Sequence, residues 1–267
     1  MDDFGISDNV SSVNAMPTVM TAAAGSIRGY GHTMKAVPPV DSSYANVSLL
    51  LHGNGLHLGT TFTDSSANAF APTVTASFTT SSTQKLFGPT SLKGGGSPGR
   101  LEYADNAAWD FGSGDFTIEC WVWPIVVTGS QTICSQYASD SIAWWLYLNG
   151  TEVSLTTGGL STNTFTTSGA GLTANNAWFN IVAVRDGSAI RIYINGAQKV
   201  GTTGVTGTMT NSTEKMRIAA YNSTTVAAPT LGNYYNGYTD ELRITKGVCR
   251  YPGGTSFTPQ WEPWPNQ

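Results

Sequence analysis

The chain is poor in charge: Asp, Glu, Lys and Arg make up only 11% of its 267 residues, against roughly 25% in an average globular protein. Surface helices normally carry Glu and Lys, so this scarcity argues for strands and turns built from the abundant Ser, Thr, Gly and Asn. No Lys/Arg cluster could neutralise a run of phosphates, and 17 acidic against 13 basic residues give a formal charge of −4, which excludes nucleic acid as the expected partner. No apolar run approaches the ~20 residues needed to span a bilayer, and Met1-Asp2-Asp3 lacks the positive start of a secretory signal. The expectation is a protein without a membrane partner, made and assembled inside a cell. Cysteine is scarce as well. Cys120, Cys134 and Cys249 are odd in number and lack C-x-x-C spacing, so neither a disulfide framework nor a zinc knuckle is indicated. Buried free thiols are expected, with one bridged pair as the alternative should the product end outside the cell.

What is present is apolar and aromatic enough, at 40% and 11%, to build a sizeable core. Residues 1–45, ending near Pro38-Pro39-Val40-Asp41, show no period of two or 3.6 and read as an extended arm for docking or assembly, or as a disordered tail. From residue 46 to 267 the pattern is strands punctuated by turns. The run Ser48-Leu49-Leu50-Leu51-His52 closes at Gly53-Asn54-Gly55, and the Ser/Thr-rich stretch to Thr83 reads as long loops with one strand near Val74. The clearest strand is Asp115–Trp123, where Phe116, Ile118, Cys120 and Val122 share one face and Thr117, Glu119, Trp121 and Trp123 the other. Hairpin turns fall at Asn149-Gly150, Asp186-Gly187 and Asn195-Gly196, dipeptides that supply the positive φ angles of tight β connections. Later strands are expected around Met216–Ala219 and Gly237–Ile244. A dozen or so short strands without a convincing helix predict an all-β sandwich of two antiparallel sheets.

Three groups of residues add to this pattern: Asp115-Phe116-Thr117-Ile118-Glu119 with Trp121; Trp178 with Val184-Arg185-Asp186-Gly187 and Ile192-Tyr193-Ile194-Asn195-Gly196; and Gly237-Tyr238-Thr239-Asp240-Glu241-Leu242-Arg243-Ile244. In this order the sequence resembles the laminin-G-like, concanavalin-A-like jelly roll. The opening Leu49–His52 and the closing Lys246–Tyr251 with Phe257-Thr258-Pro259 resemble its variant in tailed-bacteriophage structural proteins. The likeness spans about residues 46 to 262 and leaves the arm outside. It implies a virion protein, a capsid decoration or tail-associated module at the particle surface, anchored to other virion proteins through residues 1–46 and homo-oligomeric. The alternative it implies is a carbohydrate-binding adhesin or tail-fibre domain that recognises host glycans. Fold alone does not choose between them.

Candidate sites follow from residue chemistry. Glucanases of similar fold carry Glu-x-Asp-x-x-Glu on one strand; no such motif occurs here, Glu119 stands alone, and His32, His52 and His57 have no nucleophile partner, so no enzyme activity is expected. Period two places Asp240 on the core face with Leu242 and Ile244, where a carboxylate needs hydrogen bonds or a cation. Either Asp240 accepts backbone N–H groups and fixes a loop, or, as the resemblance implies, it joins Asn54 and Asp64 around a structural Ca2+. Trp121, Trp123, Trp145 and Tyr147 form the candidate ligand-binding set: rings on exposed strand faces stack on sugars or anchor partners, unless burial claims them. Loss of saccharide binding on Trp121→Ala is the expected signature. The Asn-x-Ser/Thr triplets beginning at Asn9, Asn46, Asn149, Asn211 and Asn222 are frequent by chance in so Asn-, Ser- and Thr-rich a chain and carry no inference. The tail Pro259-Gln260-Trp261-Glu262-Pro263-Trp264-Pro265 cannot continue a ladder and is expected to pack back over the sandwich, with partner docking through Trp264 as the other reading.

Overall fold

The computed structural model describes residues 40–267 except 76, 170, 173 and 174, and outside these only the backbone pairing of β1 (Arg28–Gly29) with β2 (His32–Thr33). The remaining arm residues, Asn9 among them, lie outside the described residues. Residues Met1–Pro39 and Val40–Gln267 form two separate units. The larger one is the sandwich.

Its first sheet has eight antiparallel strands. β3 (Val47–Leu51), β5 (Thr79–Ser81), β6 (Ser91–Gly95), β8 (Phe116–Pro124), β13 (Phe179–Asp186), β14 (Ala189–Ile194), β15 (Ala197–Thr202) and β19 (Asn236–Lys246) run in the order β15-β14-β13-β8-β19-β6-β5, with β3 also paired to β19. The second sheet holds β4 (Thr73–Thr75), β7 (Arg100–Tyr103), β9 (Ser130–Ala138), β10 (Ser141–Asn149), β11 (Glu152–Thr157), β12 (Thr164–Thr166) and β16 (Met216–Ile218) in the order β12-β11-β10-β9-β16-β7-β4. A short hairpin of β17 (Tyr221–Asn222) and β18 (Leu231–Gly232) follows β16. Among the described residues helix is confined to three-residue 3-10 turns at Tyr44–Asn46, Ala107–Trp109 and Pro252–Gly254. No helix among the described residues is long and apolar enough to cross a membrane.

The two-residue period does what the sequence promises. Phe116, Ile118, Cys120 and Val122 of β8 and Trp144, Leu146 and Leu148 of β10 point between the sheets into one continuous core, joined by Trp109, Ile181, Ile192, Leu242 and Ile244. All three dipeptide turns form, with Gly150, Gly187, Asn195 and Gly196 at positive φ. At Gly196 a side chain would collide with the carbonyl of Phe257, which is where the C-terminal segment hydrogen-bonds back onto the hairpin through Phe257 N, 3.0 Å from Gly196 O. Cys120 and Cys134 are buried free thiols and Cys249 is half-buried and free.

One sequence expectation fails. Asp240 does not share the inward face of Leu242 and Ile244, because β19 bulges: Asp240 pairs with Trp121 and Arg243 with Glu119, so two residues of β19 stand opposite Cys120 alone. Glu241, at φ 50°, absorbs the extra residue. Asp240 therefore emerges on the outer face beside Trp121, while Leu242 keeps its place in the core.

Candidate functional site

The two outer faces of the sandwich have opposite fates. That of the eight-stranded sheet is roofed by the C-terminal segment. Val182, Val184 and Tyr193 pack there against Cys249, Tyr251 and Phe257. Beside them Glu119, fully buried, accepts from Arg243 Nη2 at 2.7 Å and from the Tyr251 hydroxyl at 2.6 Å. Asp41 bridges Arg243 at 3.0 Å and the fork of Arg250 at 2.9 Å. Burial opposes the Asp41 charge, but the Arg250 and Arg243 guanidinium groups outweigh it and hold its carboxyl below the usual range. Trp264 lies over the Arg243 guanidinium at 3.5 Å, and its backbone N–H donates to Glu241 at 2.8 Å. The Gln260 amide oxygen, oriented to suit both indoles, accepts from Trp121 and Trp264 at 3.2 Å each. Trp121 also meets Phe87 edge-on, and Trp123 meets Trp178 likewise. Two of the four sequence-predicted ring residues thus lie on this roofed face, with the Trp121 indole tied into the tail.

The sequence-predicted oxygen ligands do not fit a calcium shell. Asp64 spends both oxygens on its own neighbourhood, accepting from Leu50 N, Ser66 N, the Ser66 hydroxyl and Phe70 N at 2.8–3.0 Å. Asp240 Oδ2 accepts from Leu86 N and Phe87 N at 2.8 and 3.0 Å, the loop-fixing role. Its Oδ1 is buried without a partner among the described residues, and Asn54 is exposed. Calcium takes six to eight oxygens, and among the described residues no three His, Cys, Asp or Glu side chains converge on a point that could hold a metal. Burial pushes the Asp240 carboxyl up to about 7, with two N–H donors resisting and Glu241 adding to the rise.

The outer face of the seven-stranded sheet carries the other two predicted rings. Trp145 stacks on Tyr147 at 3.7 Å and on Tyr221 at 4.4 Å, with Tyr137 tilted against both Trp145 and Tyr221 at 5.5 Å. Its Nε1 donates to Thr132 Oγ1 at 3.0 Å. Two parallel partners use the flat surface of this indole internally, so Trp145 braces the structure rather than offering a stacking platform. What it braces is the β17–β18 hairpin, because Tyr221 is the first residue of β17.

That hairpin forms one wall of a cleft of about 510 Å³, lined by Arg100 and Glu102 of β7, Lys215 and Arg217 at β16, Glu214, and Tyr234 beyond the hairpin. The volume lies within the range of small-ligand pockets. Sequence reasoning missed these residues. Glu102 accepts from Arg100 and Arg217 at 2.9 Å each, and its second oxygen meets Lys215 Nζ at 3.3 Å. Arg217 also pairs with Glu214 at 2.9 Å, and Asn222 of the hairpin donates to the second Glu214 oxygen at 2.6 Å. Burial would raise the Glu102 carboxyl, but the Arg100 and Arg217 guanidinium groups hold it down at about 2. Arg217 is only 2% exposed, and its Nη1 has no partner among the described residues.

A two-sheet jelly roll with one roofed face and one clefted face is a lectin-like β-sandwich. The sequence agrees: residues 95–249 match the concanavalin A-like lectin/glucanases superfamily, and the chain belongs to that family. No curated protein matches it. Among solved structures it is similar to the binding domain of Paraclostridial Mosquitocidal Protein 1 (14% identity, TM-score 0.57, 78% of this chain and 51% of that one). It is similar also to the binding domain of botulinum neurotoxin DC in complex with SialylT (15%, 0.54, 78% and 50%) and to the receptor binding domain of botulinum neurotoxin D (12%, 0.56, 78% and 51%). The chain spans about half the length of each. At these identities the likeness is one of fold.

Proposed function

We propose that this domain is a non-catalytic recognition module that binds a saccharide in the cleft on the open face of the seven-stranded sheet. The observation that carries the reading is the contrast between the faces: tail residues roof one, whereas the other holds a cleft of ligand size with braced walls and polar side chains presented from adjacent strands. The similar solved structures, binding domains by their descriptions, support it by analogy. Against hydrolysis, a glycosidase needs one carboxylic acid held protonated near neutrality. The Glu102 carboxyl in the cleft is held near 2 instead, the buried Glu214 beside it spends its oxygens on Arg217, Lys215 N and Asn222, and Glu119 is sealed beneath the tail.

The test is a glycan array followed by calorimetry on the full chain. Tyr234→Ala should weaken binding of any positive glycan about tenfold or more, the scale of one lost aromatic anchor, while Trp121→Ala should leave affinity unchanged and lower only the melting temperature. Loss of binding on Trp121→Ala with Tyr234→Ala unaffected would move the site to the roofed face. The carrier of the module is, in our proposal, a bacteriophage particle to which residues 1–46 attach it; this rests on the family resemblance.

A further inference from the structure

Arg217 does not sit comfortably as a purely structural residue. A guanidinium at 2% exposure is costly to bury unless its donors are used, yet Nη1 has no partner among the described residues. The cleft is cationic in excess: among the described residues lining it, Arg100, Lys215 and Arg217 face only Glu102 and Glu214. The cleft therefore keeps a net charge of about +1 on a chain whose formal charge is −4. Since the Glu102 carboxyl is held near 2, this excess persists across the neutral range. Lys215 is half-exposed and spends only one contact, at 3.3 Å, on Glu102, so its ammonium has donors left.

Resting on the reading of the cleft as a saccharide site, we infer that its ligand is an acidic sugar, a uronate or sialate whose carboxylate is taken between Arg217 and Lys215 while the ring lies along Tyr234. Once the Arg217 side chain turns toward the ligand, a carboxylate supplies the acceptor that Nη1, enclosed in the free cleft, lacks, and it neutralises the excess cation in the same contact. A neutral hydroxyl could do only the first. A bare anion would leave Tyr234 and the apolar Val226, Pro229 and Leu231 of the hairpin wall without a partner.

The test uses the isotopically labelled full chain, titrated with trigalacturonate and its fully methyl-esterified counterpart, and with sialyllactose and lactose. At least one acid should bind about tenfold more tightly than its neutral partner, the margin expected of one charge-assisted contact. It should shift the amides of Arg217, Lys215 and Tyr234 and weaken as salt rises. Substitutions at Arg217, or at Arg100 which neutralises the largely buried Glu102, endanger folding, so Lys215→Gln carries the weight. It should lower affinity for the acid several-fold at unchanged melting temperature and leave any weak neutral binding alone. Equal binding of acid and neutral partner at these amides overturns the inference but leaves the saccharide site standing. Binding of a sulfated carrageenan oligosaccharide, which carries no carboxylate, with no response to either carboxylated sugar also overturns it. If no saccharide shifts the cleft amides, the proposed function itself falls.

Discussion

Asp240 carries a carboxylate that the fold keeps dry. Its side chain is fully buried, two N–H groups serve one oxygen, and burial lifts the group to about 7 from an ordinary 3.8. Between those values the native state holds a proton that the unfolded chain has lost, so unfolding free energy falls as pH rises from about 4 to 7. His52 acts in the same direction. Burial alone would lower its imidazolium, but the 2.7 Å contact with Glu241 outweighs this and raises it. Its contribution is complete below the ordinary value of 6.5 and is lost as pH rises through the higher folded value. The domain should therefore lose stability to urea between pH 5 and pH 8.5, and Asp240→Asn should remove much of the slope below pH 7 by ending the ionisation. At pH 8.5 the variant should be the more stable protein by about 1–3 kcal/mol, the range for an uncompensated buried polar charge. Parallel pH profiles for the two proteins would show that Asp240 is not the titrating group.

Scale changes the question from which proton moves to which segment holds which. Apart from the 3-10 turn at Pro252–Gly254 the C-terminal segment has neither strand nor helix, and it is held by ion pairs and rings instead. Glu119→Gln should cost about 3–5 kcal/mol, because it leaves the Arg243 guanidinium buried without its main counter-charge; Trp264→Ala should cost about 1–2 kcal/mol by removing a desolvated cation–π contact. Chemical denaturation reads both, and saccharide affinity should survive each. Little of this could be seen in the sequence. The strands of β8, β13 and β14 were, because alternation and Asn-Gly or Asp-Gly turns are local signals. Ser130–Ala138 was not, since polar Gln131, Thr132, Ser135 and Gln136 interrupt its apolar pattern and two register shifts break its pairing with β10. The bulge at Glu241 was equally hidden, because nothing in Asp-Glu-Leu announces a residue at positive φ. For the cleft, half the signal was local: Arg100 and Glu102 flank Leu101 on an outward face of a chain with few charges. The other half, Arg217, lies 115 residues from Glu102, a distance only the sheet order closes.

The molecule as a whole is organised around the asymmetry of its two outer faces, and that asymmetry fixes where an anchor could be cut away. The run of strands from residue 46 onward suggests a domain beginning there, but Asp41 lies inside the ion-pair network of the roofed face, bound to Arg243 and Arg250 across more than two hundred residues, and its N–H donates to Gln267 O at 3.1 Å. Removing residues 1–46 would strip the buried Arg243 and the half-buried Arg250 of a counter-charge, so loss of attachment and loss of folding would be confounded. Removing residues 1–39 stops at the boundary between the two units and spares Asp41. If the first unit is the anchor, this shorter deletion should melt within about 2 °C of the full chain, less than the shift that 1 kcal/mol gives a domain of this size, and should bind saccharide unchanged, yet fail to join particles when it replaces the full chain in a phage that encodes it. Incorporation of the deleted protein at wild-type levels would place the attachment surface on the sandwich itself and end the proposal that residues 1–46 supply it.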